Sequence, residues 1–503
     1  MVKTCQKYIK KMAHQLHGED YMKLKFSKEF VFGFSEAGFQ FEMGYPGSED
    51  VNSDWWGWVH DEDNIVSGIV SGDLPEHGSG YWHLYKQDHD LACYLGMNGA
   101  RLGIEWSRIF PKQTYDVKVS IEEDADGNIL SIDVSERALE ELDKLADKGA
   151  LDHYRRIFED WKGRGKFLII NLYHWPLPIW IHDPIAVRKN GPDRAPSGWL
   201  DKRSVVEFTK FSAYVAWKFG ELPDMWSTMN EPNVVYVNGY INVKSGFPPA
   251  YPDFNSALKA AKHLIEAHAR AYDVLKRLTG KPTGIIYAVR ALETLGTDES
   301  SRDALERARR FETYNFIDAI TLGKSQFVGE RKDLADRMDW LGVNYYTRRV
   351  IEPAKNLLGY RFMEGYGHLC IPKGVSKDGR PCTDAGYEVY PEGLYKVLVE
   401  LWTRYKKTLI ITENGLADSE DRLRPTYLVS HLLQVERAID DGVNIGGYLH
   451  WALVDNYEWA SGYKMRFGLT QTDYKTKKRY LRPSALVYKG IAEQKELPLE
   501  LIQ

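Results

Sequence analysis

Eight short runs of β-branched and aromatic residues, each followed by a longer amphipathic, charged stretch, recur from about residue 25 onward. That alternation restricts the chain to repeated βα units and a parallel sheet. The runs are 31–34, 100–105, 167–173, 225–229, 284–289, 340–344, 409–412 and 445–450. Between them the spacing predicts helices. In 257–278, Leu258, Ala261, Leu264, Ile265, His268 and Tyr272 recur three and four apart, which makes a buried stripe. His268 within it reads as a hydrogen-bonded packing residue, because no second ligand stands at metal spacing. With 503 residues, no Pro/Gly/Ser linker and no internal repeat, the pattern predicts an α/β fold: a single (β/α)8 TIM barrel with long loop insertions. The insertions fall at 41–81 and 112–149, the second rich in Asp and Glu. Residues 1–22 read as an N-terminal extension, disordered or tag-like, and 23–503 as the barrel domain.

Charge excludes several kinds of partner. The 66 basic and 71 acidic residues are interspersed and give a net charge of -5, so no field marks a nucleic acid or a membrane, and a neutral small molecule fits better. No run of about 18 apolar residues could span a bilayer, and the basic, polar N-terminus lacks the apolar core of a secretory signal. Cys5, Cys93, Cys370 and Cys382 are scattered without CxxC spacing, so neither a zinc site nor a disulfide is expected and a reducing cytoplasm is the default.

In a barrel of this kind the loops after the strands converge on one face, so strand ends are where chemistry is sought. Gln40 follows the first strand; Arg101 lies in the second, which leads to Trp106; His174 and Trp175 end the third. Asn230 and Glu231 end the fourth, Asn344, Tyr345 and Tyr346 the sixth, and Glu413 and Asn414 the seventh. Trp451 ends the eighth, with Glu458 and Trp459 just beyond; the fifth, near Val289 and Arg290, carries no comparable signal. Any one of these taken alone could be a structural polar residue. Glu231 and Glu413, however, each close an apolar run (MWSTMNE, LIITE), where a charge is costly unless used or paired.

Two carboxylates in a cleft of Trp and amide side chains are what cleavage of a glycosidic bond needs. One protonates the leaving oxygen, and the other attacks the anomeric carbon or activates water. The 13% aromatic content, with 15 Trp and 31 Tyr, suits either a large aromatic core or a site that stacks sugar rings. Metal-dependent hydrolysis on this fold calls for histidine pairs at strand ends, and the first strand, FGFSEAGFQ, has none. No metal and no cofactor is expected.

Four motifs then carry a resemblance over nearly the whole chain: TMNEP at 228–232, GVNYYTR at 342–348, ITENG at 411–415 and HWALVDNYEWASGY at 450–463. With them the chain resembles glycoside hydrolase family 1, and through SGDLPEHGSGYW, YHWPLPIWIHDP and SGFPP the archaeal β-glycosidases of heat-loving organisms. The resemblance implies a retaining exo-β-glycosidase of β-glucosidase or β-galactosidase type, with Glu231 as acid/base and Glu413 as nucleophile, their carboxyl groups about 5 to 5.5 Å apart. It further implies that Arg101 and Tyr346 contact the nucleophile, that Asn344 belongs to the catalytic set, and that Gln40, His174, Asn230, Trp451, Glu458 and Trp459 hold the non-reducing sugar. Where phospho-β-glycosidases of the family carry Ser, Lys and Tyr, Glu458, Met465 and Phe467 stand here, so a 6-phospho sugar is not expected. A homo-oligomer, by resemblance a tetramer, is implied as well. A sugar-binding pseudoenzyme and an enzyme that mainly transfers sugars remain as alternatives, the first disfavoured by the presence of both glutamates.

Overall fold

The computed structural model describes residues 25–502. Eight strands, β1 (Val31–Ser35), β2 (Gly99–Gly103), β3 (Phe167–Asn171), β4 (Met225–Asn230), β5 (Thr283–Thr294), β6 (Trp340–Pro353), β7 (Thr408–Asn414) and β8 (Ile445–His450), follow one another around a barrel. All neighbours are parallel, and the β5–β6 and β8–β1 pairings close the ring. Parallel strands need long crossovers, and helices such as Arg203–Phe219, Phe254–Thr279, Pro391–Tyr405 and Arg424–Asp440 supply them. The expected (β/α)8 barrel is therefore the fold. Among the described residues no helix is long and apolar enough to cross a membrane.

Local sequence sets the elements. The Phe254–Thr279 helix starts where the Asp253 carboxylate accepts from Ser256 N and ends at Gly280, whose φ of 66° a side chain would resist. Its buried stripe packs outside the barrel, and His268 is spent on structure, bonded to Thr228 Oγ1 at 2.6 Å and to the Arg337 carbonyl at 2.7 Å. Inside the barrel, Ile169, Ile286, Trp340, Ile410 and Leu449 form a separate apolar floor. Above that floor the registers shift at Ser227/Asn230, Val343/Asn344 and Ile411/Asn414, close to the polar strand ends. Such bulges re-aim side chains, here into the barrel mouth.

Two strands run further than the sequence predicts. Expected at 284–289 and 340–344, β5 and β6 continue to Thr294 and Pro353, pairing Arg348↔Ala291 through Ile351↔Thr294 beyond the rim, with an antiparallel arm at Tyr360–Phe362. The arginines of YYTRRV break the apolar run there without breaking the strand, because that stretch is no longer inside the barrel. The insertions also gain structure. Residues 41–81 hold the helices Asp54–His60 and Glu62–Val66, and 112–149 hold a hairpin (Ser120–Glu123, Ile129–Asp133) and the helix Glu136–Leu145. The expected extension over residues 1–22 lies outside the described residues.

One expectation is corrected. Cys370 and Cys382 are joined in a disulfide, with Cα atoms 6.2 Å apart. Their separation of 12 residues gives no motif, but the loop folds back on itself: Cys370 N donates to Gly386 O and Cys382 N to Gly374 O, which brings the two together. Cys93 is unpaired.

Candidate active site

At the C-terminal mouth of the barrel lies a cavity of about 310 Å³. Nine of the expected site residues line it: Gln40, His174, Glu231, Asn344, Tyr346, Glu413, Trp451, Glu458 and Trp459. Arg101 and Asn230 are fully buried and stand outside its lining. Trp106, to which the second strand leads, points elsewhere and stacks on Phe211 in the core at 5.3 Å.

One hydrogen-bond hub connects the two carboxylates. Arg101 Nη1 donates to Glu413 Oε1 at 2.7 Å and to Asn230 Oδ1 at 2.8 Å. Asn344 Nδ2 donates to the same Asn230 oxygen at 3.0 Å and to Glu231 Oε1 at 2.8 Å, its orientation fixed by Thr412 Oγ1, which donates to Asn344 Oδ1. Tyr346 OH donates to the other oxygen of Glu413 at 2.7 Å. The two glutamates are thus held unequally. Glu413 has a donor on each oxygen, one of them cationic, whereas Glu231 has a single neutral amide.

Electrostatics sharpens the difference. Burial first and the Glu413 charge second raise Glu231 to about 8, partly offset by the Asn344 hydrogen bond and by Arg290 and Arg101. Glu231 is therefore an acid that keeps its proton at neutral pH. Its backbone also departs from the ordinary, with φ 49° and ψ 56° where β4 turns into the helix Pro232–Tyr240. Trp175 and Trp459 share positive φ, at 84° and 49°. Such strain on non-glycine residues persists where surroundings over-determine it, most often at functional sites. Two residues after Glu413, a side chain at Gly415 would meet the Trp451 carbonyl oxygen at 1.8 Å, so only glycine lets the chain leaving β7 pass against β8 there.

The far wall is built for a polar ring. Gln40 Nε2 donates to the Tyr457 carbonyl at 2.9 Å and approaches Glu458 Oε2 at 3.4 Å, while Gln40 Oε1 is buried without a partner among the described residues. His174 is pushed well below the usual histidine range by burial and by Arg101, so it is neutral. Its Nε2 faces the Asn230 amide Nδ2 at 3.2 Å and must accept, which leaves the proton on Nδ1, buried and without a partner among the described residues. Burial, Glu413 and Glu231 raise Glu458 to about 8. Trp459 packs parallel to Phe39 at 5.8 Å and against Trp55 at 4.6 Å, so the insertion helix Asp54–His60 stiffens this wall.

The opposite wall holds residues that the sequence left unmarked: Arg290, Glu312, Arg349, His368 and Tyr387. The fifth strand, read as silent, brings Arg290 into the cavity. The available signal was the continuation of strand alternation through AVRALET and YYTRRV.

Fold and cavity together define an enzyme of the (β/α)8-barrel class. The model of glycosyl hydrolase family 1 matches residues 22–121 and 142–497, and the chain belongs to that family; it is a glycosyl hydrolase. The unmatched stretch contains most of the hairpin and the start of the helix in the second insertion. The chain is 52% identical over 475 residues to a β-galactosidase of Saccharolobus solfataricus, covering 93% of this chain and 95% of that one. It is also similar to the crystal structure of the β-glycosidase from the hyperthermophile Thermosphaera aggregans, with 55% identity, a TM-score of 0.92, and 95% and 98% of the two chains covered. A hyperthermophilic β-glucosidase from Pyrococcus furiosus matches at 56% identity and a TM-score of 0.89, covering 95% of this chain and 98% of its own.

Proposed function

We propose that the chain is a retaining exo-β-glycosidase that removes terminal non-reducing β-D-glycosyl residues by double displacement, with Glu413 as nucleophile and Glu231 as acid/base. The unequal holding of the two carboxylates carries this assignment. Glu413, gripped by Arg101 and Tyr346, is aimed and stabilised as the carboxylate that attacks the anomeric carbon. Glu231, protonated at neutral pH, gives its proton to the departing oxygen. Once Glu413 is esterified its charge is gone, Glu231 becomes a stronger acid, and it can take a proton from the water that releases the sugar. An alcohol reaching the same intermediate takes the sugar in place of water, so transglycosylation accompanies hydrolysis at high acceptor concentration.

Gln40, His174, Trp451, Glu458 and Trp459 are the proposed contacts to the terminal sugar. Gln40 Oε1 and His174 Nδ1, buried and unpartnered, recover hydrogen bonds from hydroxyls, and the second hydrogen on Asn230 Nδ2 is uncommitted for the hydroxyl beside the anomeric carbon. Glucosides and galactosides should both be accepted, since Gln40 and Glu458 offer donor and acceptor atoms to either epimer; relatives are described as β-galactosidases and a β-glucosidase. Phe467 and Glu458 give no cation for a 6-phosphate on this wall. A homo-oligomer is part of the proposal, in keeping with a solved β-glucosidase relative described as derived from a hyperthermophilic tetrameric structure; sedimentation at micromolar concentration tests it.

Proton NMR of a β-galactoside and a β-glucoside during the first minutes of hydrolysis tests the function. The free sugar should appear first as the β anomer for both. Initial α anomer would overturn the double displacement, and inertness toward one epimer would overturn the reading of the sugar wall.

A further inference from the structure

The cavity has two sides. In the ring of eight strands, β5 lies diametrically across from β1, so Arg290 stands opposite Gln40, Trp451 and Glu458 with the two catalytic glutamates between. If the terminal sugar occupies the first side, the leaving group departs toward the second.

That second side is electrostatically incomplete. Glu312 is already committed, with Oε2 accepting from Arg349 Nη1 at 2.5 Å and Oε1 accepting from Tyr360 OH at 2.9 Å. Arg349 is further fixed over the Phe362 ring at 4.3 Å. Arg290 has no such partner. Among the described residues it makes no ion pair, and its one hydrogen bond, to the Ala288 carbonyl at 3.4 Å, is at the limit of useful geometry. His368 lines the same wall with Nδ1 buried and unpartnered, and it is neutral, lowered by burial and by the Arg349 and Arg290 charges. Two guanidinium groups against one carboxylate leave one positive charge on this wall. A half-buried guanidinium without a counter-ion, close enough to lower its neighbour Arg349, is unfavourable until an anion joins it.

We propose that Arg290, supported by Arg349, makes the leaving-group half of the cavity an anion-accepting subsite, so that β-glycosides whose aglycone bears a carboxylate are preferred over neutral ones. A single net charge matches a monoanion, and the planar guanidinium fork matches a carboxylate. This rests on the proposed glycosidase reading of the cavity, and the test separates the two.

The probes are 4-carboxyphenyl β-D-galactoside and its uncharged counterpart, 4-carbamoylphenyl β-D-galactoside, each assayed for kcat/KM with the wild type, Arg290→Gln and Arg290→Lys. Comparing the carboxylate-to-amide ratio between proteins cancels intrinsic leaving-group differences. The ratio should fall by roughly tenfold in Arg290→Gln, mostly through KM, and be largely kept in Arg290→Lys. In the wild type it should also fall as sodium chloride is raised to about 1 M, a readout that needs no variant. Cleavage of both probes with a ratio that neither Arg290→Gln nor salt moves by more than about twofold would overturn the subsite while leaving the glycosidase reading intact. So would an equal loss on both probes with a displaced alkaline limb in the pH profile, since Arg290 would then be acting on Glu231. If the wild type cleaves neither probe, both readings fall together.

Discussion

Replacing Glu413 by Gln should lower the pKa of Glu231 by about two units, because it removes the charge that burial cannot account for. At the roughly 5 Å separation of a retaining pair, two unit charges in an effective dielectric of about 20 interact by about 3 kcal/mol, which is roughly two pKa units. Glu231 should then titrate near pH 6 rather than the value of about 8 that burial and Glu413 impose together. It should still lie above an ordinary glutamate, since burial, the larger cause, is untouched. Carbon-13 NMR of protein labelled in the glutamate side-chain carboxyls reads this directly, with Glu231→Gln/Glu413→Gln subtracted to isolate Glu231. Trapping Glu413 as an ester with a slow 2-fluoro glycoside should produce the same fall in the unmutated enzyme. A Glu231 pKa that stays put or rises in Glu413→Gln would refute the coupling on which the acid-to-base switch depends.

Further outcomes follow from other contacts. Because free-enzyme Glu231 must be protonated, kcat/KM should decline as pH rises through about 8, and an enzyme fully active at pH 10 would contradict this. Tyr346→Phe removes the neutral donor from Glu413 Oε2, a hydrogen bond to a charged group worth about 1.5–3 kcal/mol, so kcat should fall roughly 10- to 100-fold with the fold intact by circular dichroism. The folded-state pKa of Glu458 is raised to about 8, so its stabilising contribution is complete below about pH 4 and is lost as pH climbs through 8. Calorimetry should therefore show Glu458→Gln gaining about 1–3 °C in Tm over the wild type at pH 8.5 and little at pH 5; the reverse order would be wrong for a buried acid. Denatured, unreduced protein should titrate two fewer thiols than reduced protein if Cys370 and Cys382 are paired.

The barrel strands are legible because they are short, mostly apolar runs buried along nearly their whole length, and the two glutamates because each closes such a run. Residues on the first, third and eighth strand ends are legible for the same reason: polar atoms at the close of an apolar run stand out. What lies past the rim does not. Arg290 and Arg349 belong to strand extensions whose alternation looks like ordinary surface, and the β5–β6 pairing carries them to the cavity, while His368 reaches it from a long loop. The disulfide escapes for a similar reason, since a separation of 12 residues becomes proximity only when the loop folds. Asn230 shows the opposite limit: the TMNEP motif marks it, but its service as a hub between Arg101, Asn344 and His174 depends on three other strands.

The most direct test of the two glutamate roles is the configuration of the azide adducts formed by two variants. Glu413→Gly leaves space below the ring, so added azide should attack there while Glu231 protonates the leaving oxygen, giving an α-glycosyl azide from a β-glycoside. Glu231→Ala still forms the glycosyl-enzyme from a dinitrophenyl substrate, and azide then displaces Glu413 from above, giving the β-glycosyl azide. Anomeric-proton NMR of the two products should show α from the first variant and β from the second. The opposite assignment would reverse the roles, and wild-type rates in both variants would move the active site elsewhere.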